Sequence, residues 1–306
     1  MAVNPLPSVN IKMTPILLVS LLGFIFGTRL LLYQTKDASQ LSQAFISTDE
    51  FLIWMFLVAA GCVLMFAAPF ILAMDIRPLW KFARGETLDL LLSMFLVALL
   101  FAIPTLFSPT TATSGIEFPL QYHRQKMMVL YLLMFFMLLL PCALGFWLLR
   151  RALAVEFRSI DPSSAVIEAY MRYRERLQRF LLILGLGVTI LTLATGALRK
   201  AVIAVGIASP DTFPVNFVLI YGGYFTLLLA ILYLPAYSAL LEAGRRVRDA
   251  YCPFPEADSP DWDKTLAKRK TLEETLLLTH SFQQNLSAGV TILAPLLSGA
   301  LSVLRD

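Results

Sequence analysis

Chemistry needs side chains that can hold a metal, move a proton or attack an electrophile, gathered within a few ångströms. This chain offers few. Its two histidines, His123 and His280, lie far apart, and neither has a cysteine or carboxylate cluster beside it. A metal site needs three or four such ligands at suitable spacing, so no metal ligand is assigned. The cysteines, Cys62, Cys142 and Cys252, are scattered, two of them in apolar runs, and no structural disulfide is expected. There is no phosphate-cradling glycine loop, no HExxH helix and no GxSxG elbow. Paired aspartates within apolar runs, which an intramembrane aspartyl protease requires, do not occur. The expectation is a non-enzyme with no catalytic residue and no cofactor.

One ionisable residue, Arg29, does stand inside an apolar run, four residues before its end at Tyr33. Charges in hydrocarbon are costly and mark function when they face inward. A long arginine near the end of a run can instead snorkel to the headgroups. Asp75 and Asp89 stand at run ends and read as solvated. The scarcity of other acids or histidines in the runs argues against a proton-coupled carrier.

The elements that would position these residues are long apolar segments. Hydrophobic residues make up 58% of the 306 and charged residues 15%, against about half and a quarter in soluble domains. The apolar residues fall in six runs, at about 15–33, 51–74, 88–107, 127–149, 180–198 and 215–241. Each is long enough to cross roughly 30 Å of hydrocarbon as a helix. A barrel would show short alternating segments instead. No cleavable signal peptide is evident at the first run. The fold class expected is all-α, a polytopic transmembrane bundle of six spans.

Charge supplies the orientation. Arg29, Lys36, Arg124, Lys126, Arg199 and Lys200 fall on one side of such a bundle, and the other 19 of the 25 basic residues on the opposite side. Basic residues concentrate in cytoplasmic loops, which puts both termini in the cytoplasm. The short loops and this bias point to a bacterial inner (plasma) membrane. Residues 1–250 read as the transmembrane domain and 251–306 as a small cytoplasmic helical region. Asp161-Pro162 marks a helix start, and the helix over 162–179 is expected to project into the cytoplasm and run into the fifth span. Asp261 marks a second start, and Thr271-Leu272-Glu273-Glu274 fits a capping box or the interior of a continuing helix. The segment 285–304 has Leu286, Val290, Leu293, Leu297, Leu301 and Leu304 at spacings of three and four. Gln283, Gln284 and Asn285 before it, and Pro295 within it, disfavour a seventh span. It reads as a packed cytoplasmic or interfacial helix whose apolar stripe suits self-association.

Within the spans, Gly185, Thr189, Thr192 and Gly196 share one helix face, as do Ser20, Gly23 and Gly27 near Arg29. Small residues let helices approach closely, and a threonine face can also border a pore. Pro69, Pro141 and Pro235 sit toward the cytoplasmic ends of the even spans, predicting kinks and raising the idea of three related hairpins. The tyrosines of the sixth span, Tyr221, Tyr224, Tyr233 and Tyr237, read as an interfacial and packing set. The clusters Arg245, Arg246, Arg248 and Lys268, Arg269, Lys270 are candidates for contact with lipid headgroups or an anionic ligand such as an oligonucleotide; no duplex nucleic acid is expected. Three functions compete. One is a homo-oligomeric channel or membrane-perturbing effector gated from the cytoplasm by the C-terminal helices. The others are a carrier for an apolar or lipid-like substrate, and a scaffold or sensor with a cytoplasmic protein partner bound through residues 245–306.

Overall fold

The computed structural model describes residues 13–33, 39–106, 118–254, 261–278, 290–294 and 297. Among them all regular structure is helical. Six helices are long and apolar enough to span a bilayer: Met13–Leu32, Asp49–Ala83, Thr87–Pro104, His123–Glu156, Ser164–Ala204 and Asn216–Tyr251. The chain is a multi-pass helical membrane protein, and each expected run falls, to within three residues, inside one of these helices.

Two helix starts are capped by short polar side chains. Thr48 accepts the Phe51 N–H at 3.2 Å, with Asp49 and Glu50 in the first turn of the second span; acids there favour the positive end of the helix dipole. Ser39 caps the short helix Gln40–Ile46 in the same way. The fifth helix begins at Ser164, two residues beyond the Pro162 start expected. Ser163, not Asp161, takes the cap position, without a side-chain bond. From Ser164 the helix runs 41 residues without a break through the fifth span. Thr271-Leu272-Glu273-Glu274 lies inside the helix Trp262–Thr275, not at a start, and the Thr271 hydroxyl bonds back to the Ala267 carbonyl at 3.0 Å.

Four spans form the centre. The second packs on the fifth, the fifth on the sixth, the sixth on the fourth, and the fourth back on the second. The first leans on the second and the third on the fourth. Leu138, Phe180, Leu184 and Phe225 are fully buried in this core. On the two outer spans Leu17, Leu18, Leu21, Leu88, Leu91 and Phe95 face outward, more than half exposed, as lipid-facing side chains should be. The odd spans are therefore not equivalent: the first and third are peripheral and the fifth is central. Three related hairpins would not give that arrangement.

The prolines act through the carbonyls they release. Pro141 follows a π-helical turn, Phe135–Leu139, in the fourth span. Proline supplies no N–H for the carbonyl four residues back, and the wider turn absorbs the mismatch. Pro69 and Pro235 lie inside their helices. A further proline, Pro104, sits in the third span and releases the Leu100 carbonyl. The Tyr224 hydroxyl of the sixth span donates to that carbonyl, and the Tyr131 hydroxyl of the fourth to its neighbour on Phe101. Tyr224 is thus more than a packing residue: it supplies the donor that Pro104 lacks.

Candidate functional site

The two ends of the bundle are built differently. At the end bearing Lys126 and Arg199, both cations are buried and bonded to backbone. Lys126 Nζ donates to the carbonyls of Leu31 at 3.0 Å and Tyr33 at 2.8 Å. It closes the C-terminus of the first span, where a cation offsets the helix dipole. Arg199 Nε donates to the Phe213 carbonyl at 2.7 Å. His123 stacks on Phe118, with ring centroids 3.9 Å apart, and lies 6.2 Å from Trp54. It is a packing residue there.

The opposite end, where most basic residues gather, is held by ion pairs between helices. Asp75, at the end of the second span, is 6% exposed, so it is not solvated as its position at a run end implied. Its carboxylate accepts two bonds from Arg179 Nη1, at 2.8 and 3.0 Å, and lies 3.5 Å from Arg176 Nε. Burying a carboxylate is tolerable because these cations lie beside it. Around it Lys81 pairs with Glu156 at 2.9 Å and Arg151 with Glu86 at 2.6 Å. Trp147 Nε1 donates to Asp89 at 3.0 Å. Tyr173 donates to Glu156 at 2.6 Å. Burial, with the Glu156 carboxylate beside it, pushes the Tyr173 phenol up and keeps it a donor.

The C-terminal region is joined to this end at three points. Arg248, at the end of the sixth helix, pairs with Glu273 at 2.6 Å, and the buried Arg269 pairs with Asp249, donates to the Cys252 carbonyl at 2.6 Å and lies over the Phe254 ring. Next, the chain reverses at Leu277, whose φ of 56° is left-handed. Glycine usually takes that place after a helix, and a leucine there is strained. What holds it is Arg174, whose Nη1 donates to the carbonyls of Leu276 at 3.0 Å and Leu277 at 3.3 Å. Leu278 then fills a notch at Gly244, where an added Cβ would lie 2.5 Å from Leu278 Cδ2 and 2.7 Å from the Tyr170 hydroxyl. Third, Thr291 sits in a notch at Gly185, its Cγ2 2.5 Å from where a Cβ would stand. Gly185 is five residues past Phe180, so this contact lies about 7.5 Å along the apolar run, an interfacial depth.

The residues singled out in the sequence fall out as follows. Gly23, Gly27, Gly185, Thr192 and Gly196 are buried, and Ser20 and Thr189 are half-buried. A Cβ on Gly23 would stand 2.6 Å from the Cys62 carbonyl oxygen of the second span. The Thr189 and Thr192 hydroxyls donate to the carbonyls of Gly185 and Val188, four residues back, at 2.7 and 3.0 Å. The two threonine hydroxyls are thus satisfied within their own helix. Arg29 is exposed. Among the basic clusters Arg248 and Arg269 are taken up by carboxylates, Arg246 pairs with Glu242, and Arg245, Lys268 and Lys270 are exposed. Val290, Leu293 and Leu297 are exposed at 49%, 44% and 49%. Leu286, Leu301, Leu304 and His280 lie outside the described residues. The Leu277 turn, the Gly244 notch and the buried Asp75 had no sequence signal that set them apart, because each depends on partners dozens of residues or more away or on a backbone angle.

No protein-family model, curated protein or solved structure matches this chain. Its class, a multi-pass helical membrane protein, is read from its own six spans.

Proposed function

We propose that the protein is a homo-oligomeric channel or membrane-perturbing effector, gated from the cytoplasm by its C-terminal region. The observation that carries this is the seating of that region on the bundle. Thr291 contacts the fifth span at Gly185, and Leu278 contacts the sixth at Gly244, through a strained turn held by one arginine. A gate needs an element that rests on the spans in one state and can leave them in another. The exposed face of Val290, Leu293 and Leu297 supports self-association once that element is displaced. The charge bias of the loops supports a bacterial inner membrane with both termini cytoplasmic. A fluorescent reporter fused to either terminus, active only in the cytoplasm, tests the topology.

The gating test is flux from dye- and ion-loaded liposomes. Unstimulated wild-type protein is expected to leak little. Leu278→Ala and Gly185→Leu should each release the C-terminal segment, deletion after residue 278 removes it, and all three should raise the leak at least several-fold. Tight vesicles with all four proteins, each verified as folded and inserted, would overturn the reading.

A further inference from the structure

The sequence points for anion binding to Arg245–Arg248 and Lys268–Lys270. The structure fills part of that charge and leaves covered cations short of acceptors elsewhere. Arg248 and Arg269 are saturated by Asp249, Glu273 and the Cys252 carbonyl. By contrast Arg172, Arg176 and Arg179 lie on one face of the fifth helix at spacings of four and three, and among the described residues they share only two carboxylates, Asp75 and Glu168. Two of their nitrogens, Arg172 Nε and Arg176 Nη1, are covered yet have no hydrogen-bond partner among the described residues. A covered donor without an acceptor costs about 1–3 kcal/mol, more for a charged group, and native structures leave few.

The stripe is also pre-positioned. Arg176 lies 5.9 Å from the centroid of the Tyr173 ring and 3.5 Å from Asp75. Tyr173 is itself tied to Glu156. The guanidinium is held on two sides and has an edge to spare. The side chains of Arg172, Arg176 and Arg179 are 23%, 12% and 41% exposed, so the stripe opens outward on the Arg179 side. Arg179 directly precedes Phe180, where the apolar run begins, and Asp75 directly follows Met74, where the second run ends. Both mark the boundary at which lipid phosphates lie.

We propose that Arg172, Arg176 and Arg179 form a binding site for a phosphate group at the membrane boundary, the headgroup phosphate of an anionic lipid. Guanidinium forks suit phosphate oxygens through paired, charge-assisted hydrogen bonds. The phosphate balances the surplus charge and gives Arg172 Nε and Arg176 Nη1 their acceptor. This site is independent of the gating reading: a protein that passes no dye can still hold the lipid.

The test is thermal unfolding of the full-length protein in detergent, with phosphatidylglycerol, phosphatidylcholine or inorganic pyrophosphate added. Phosphatidylglycerol is expected to raise Tm by a few degrees, and phosphatidylcholine by much less. Arg172→Gln, which leaves the Asp75 pairs intact, and Arg176→Gln should each remove most of that shift. Lys268→Gln, at an exposed position, should keep it. If Arg176→Gln does not fold, Arg172→Gln decides alone. A shift with pyrophosphate but not with phosphatidylglycerol, lost in Arg172→Gln, keeps the phosphate site but assigns it to a soluble ligand and overturns the lipid. No shift with either, an equal shift with phosphatidylcholine, or a shift unchanged in Arg172→Gln overturns the proposal.

Discussion

The two ends of the bundle solve the same problem, cations near a membrane surface, in opposite ways. At one end Lys126 and Arg199 are buried and bonded to main-chain carbonyls. Carbonyls at a helix end or in a turn cannot move without the helix, so those ties lock the first span to the fourth and the fifth helix to the loop that follows it. At the other end Arg174 and Arg269 also reach main-chain carbonyls, but the ties that join the spans run between side chains: Arg179 and Arg176 with Asp75, Lys81 with Glu156, Arg248 with Glu273. Side-chain pairs can exchange partners, and where they are exposed salt weakens them. The difference teaches which end can rearrange. The carbonyl-capped end is a fixed closure, while the ion-paired end carries the C-terminal region, the strained Leu277 turn and the surplus of arginine.

Three substitutions test that contrast. Lys126→Met should cost most, about 2–3 kcal/mol, because it leaves the Leu31 and Tyr33 carbonyls without their donor in a covered site. The loss, read as a shift in the denaturation midpoint in detergent micelles, should be nearly the same at low and high salt. Asp75→Asn should cost less, about 1–2 kcal/mol. It removes the counter-charge of two guanidiniums, one of them 41% exposed and so already screened in part by solvent. That loss should shrink as salt rises. Lys81→Gln breaks a pair whose lysine is 58% exposed and should fall within about 0.5 kcal/mol of wild type. A salt-sensitive Lys126→Met, or an Asp75→Asn loss as large and as salt-independent as that of Lys126→Met, would erase the distinction between the ends.

The close helix contacts show what spacing can suggest. Ser20, Gly23 and Gly27 share a face, and spacing alone marks that face as a place for another helix. The contact of Gly23 with the Cys62 carbonyl agrees with it. Spacing could not say that Thr189 and Thr192 turn their hydroxyls back onto their own helix, since a threonine face looks the same whether it borders water or a neighbour. The role of Pro104 is hidden in the sequence for a related reason. A proline in a run is visible, but the Tyr224 hydroxyl that answers its freed carbonyl is 124 residues from Leu100.

What the residues decide by themselves is the list of spans. Hydrocarbon demands that backbone groups bond within the segment, so an uncharged run of sufficient length has one outcome, and six runs mean six helices. The positions of the basic residues likewise divide the chain into two sides, because charge does not depend on packing. Only the tertiary structure decides which cations are spent and which are spare. Arg248 and Arg269 look as free in the sequence as Arg172 and Arg176. The first pair meets Asp249 and Glu273 between two helices, while the second keeps two covered nitrogens without an acceptor among the described residues. Pairing is a matter of distances between helices, and no local pattern encodes it.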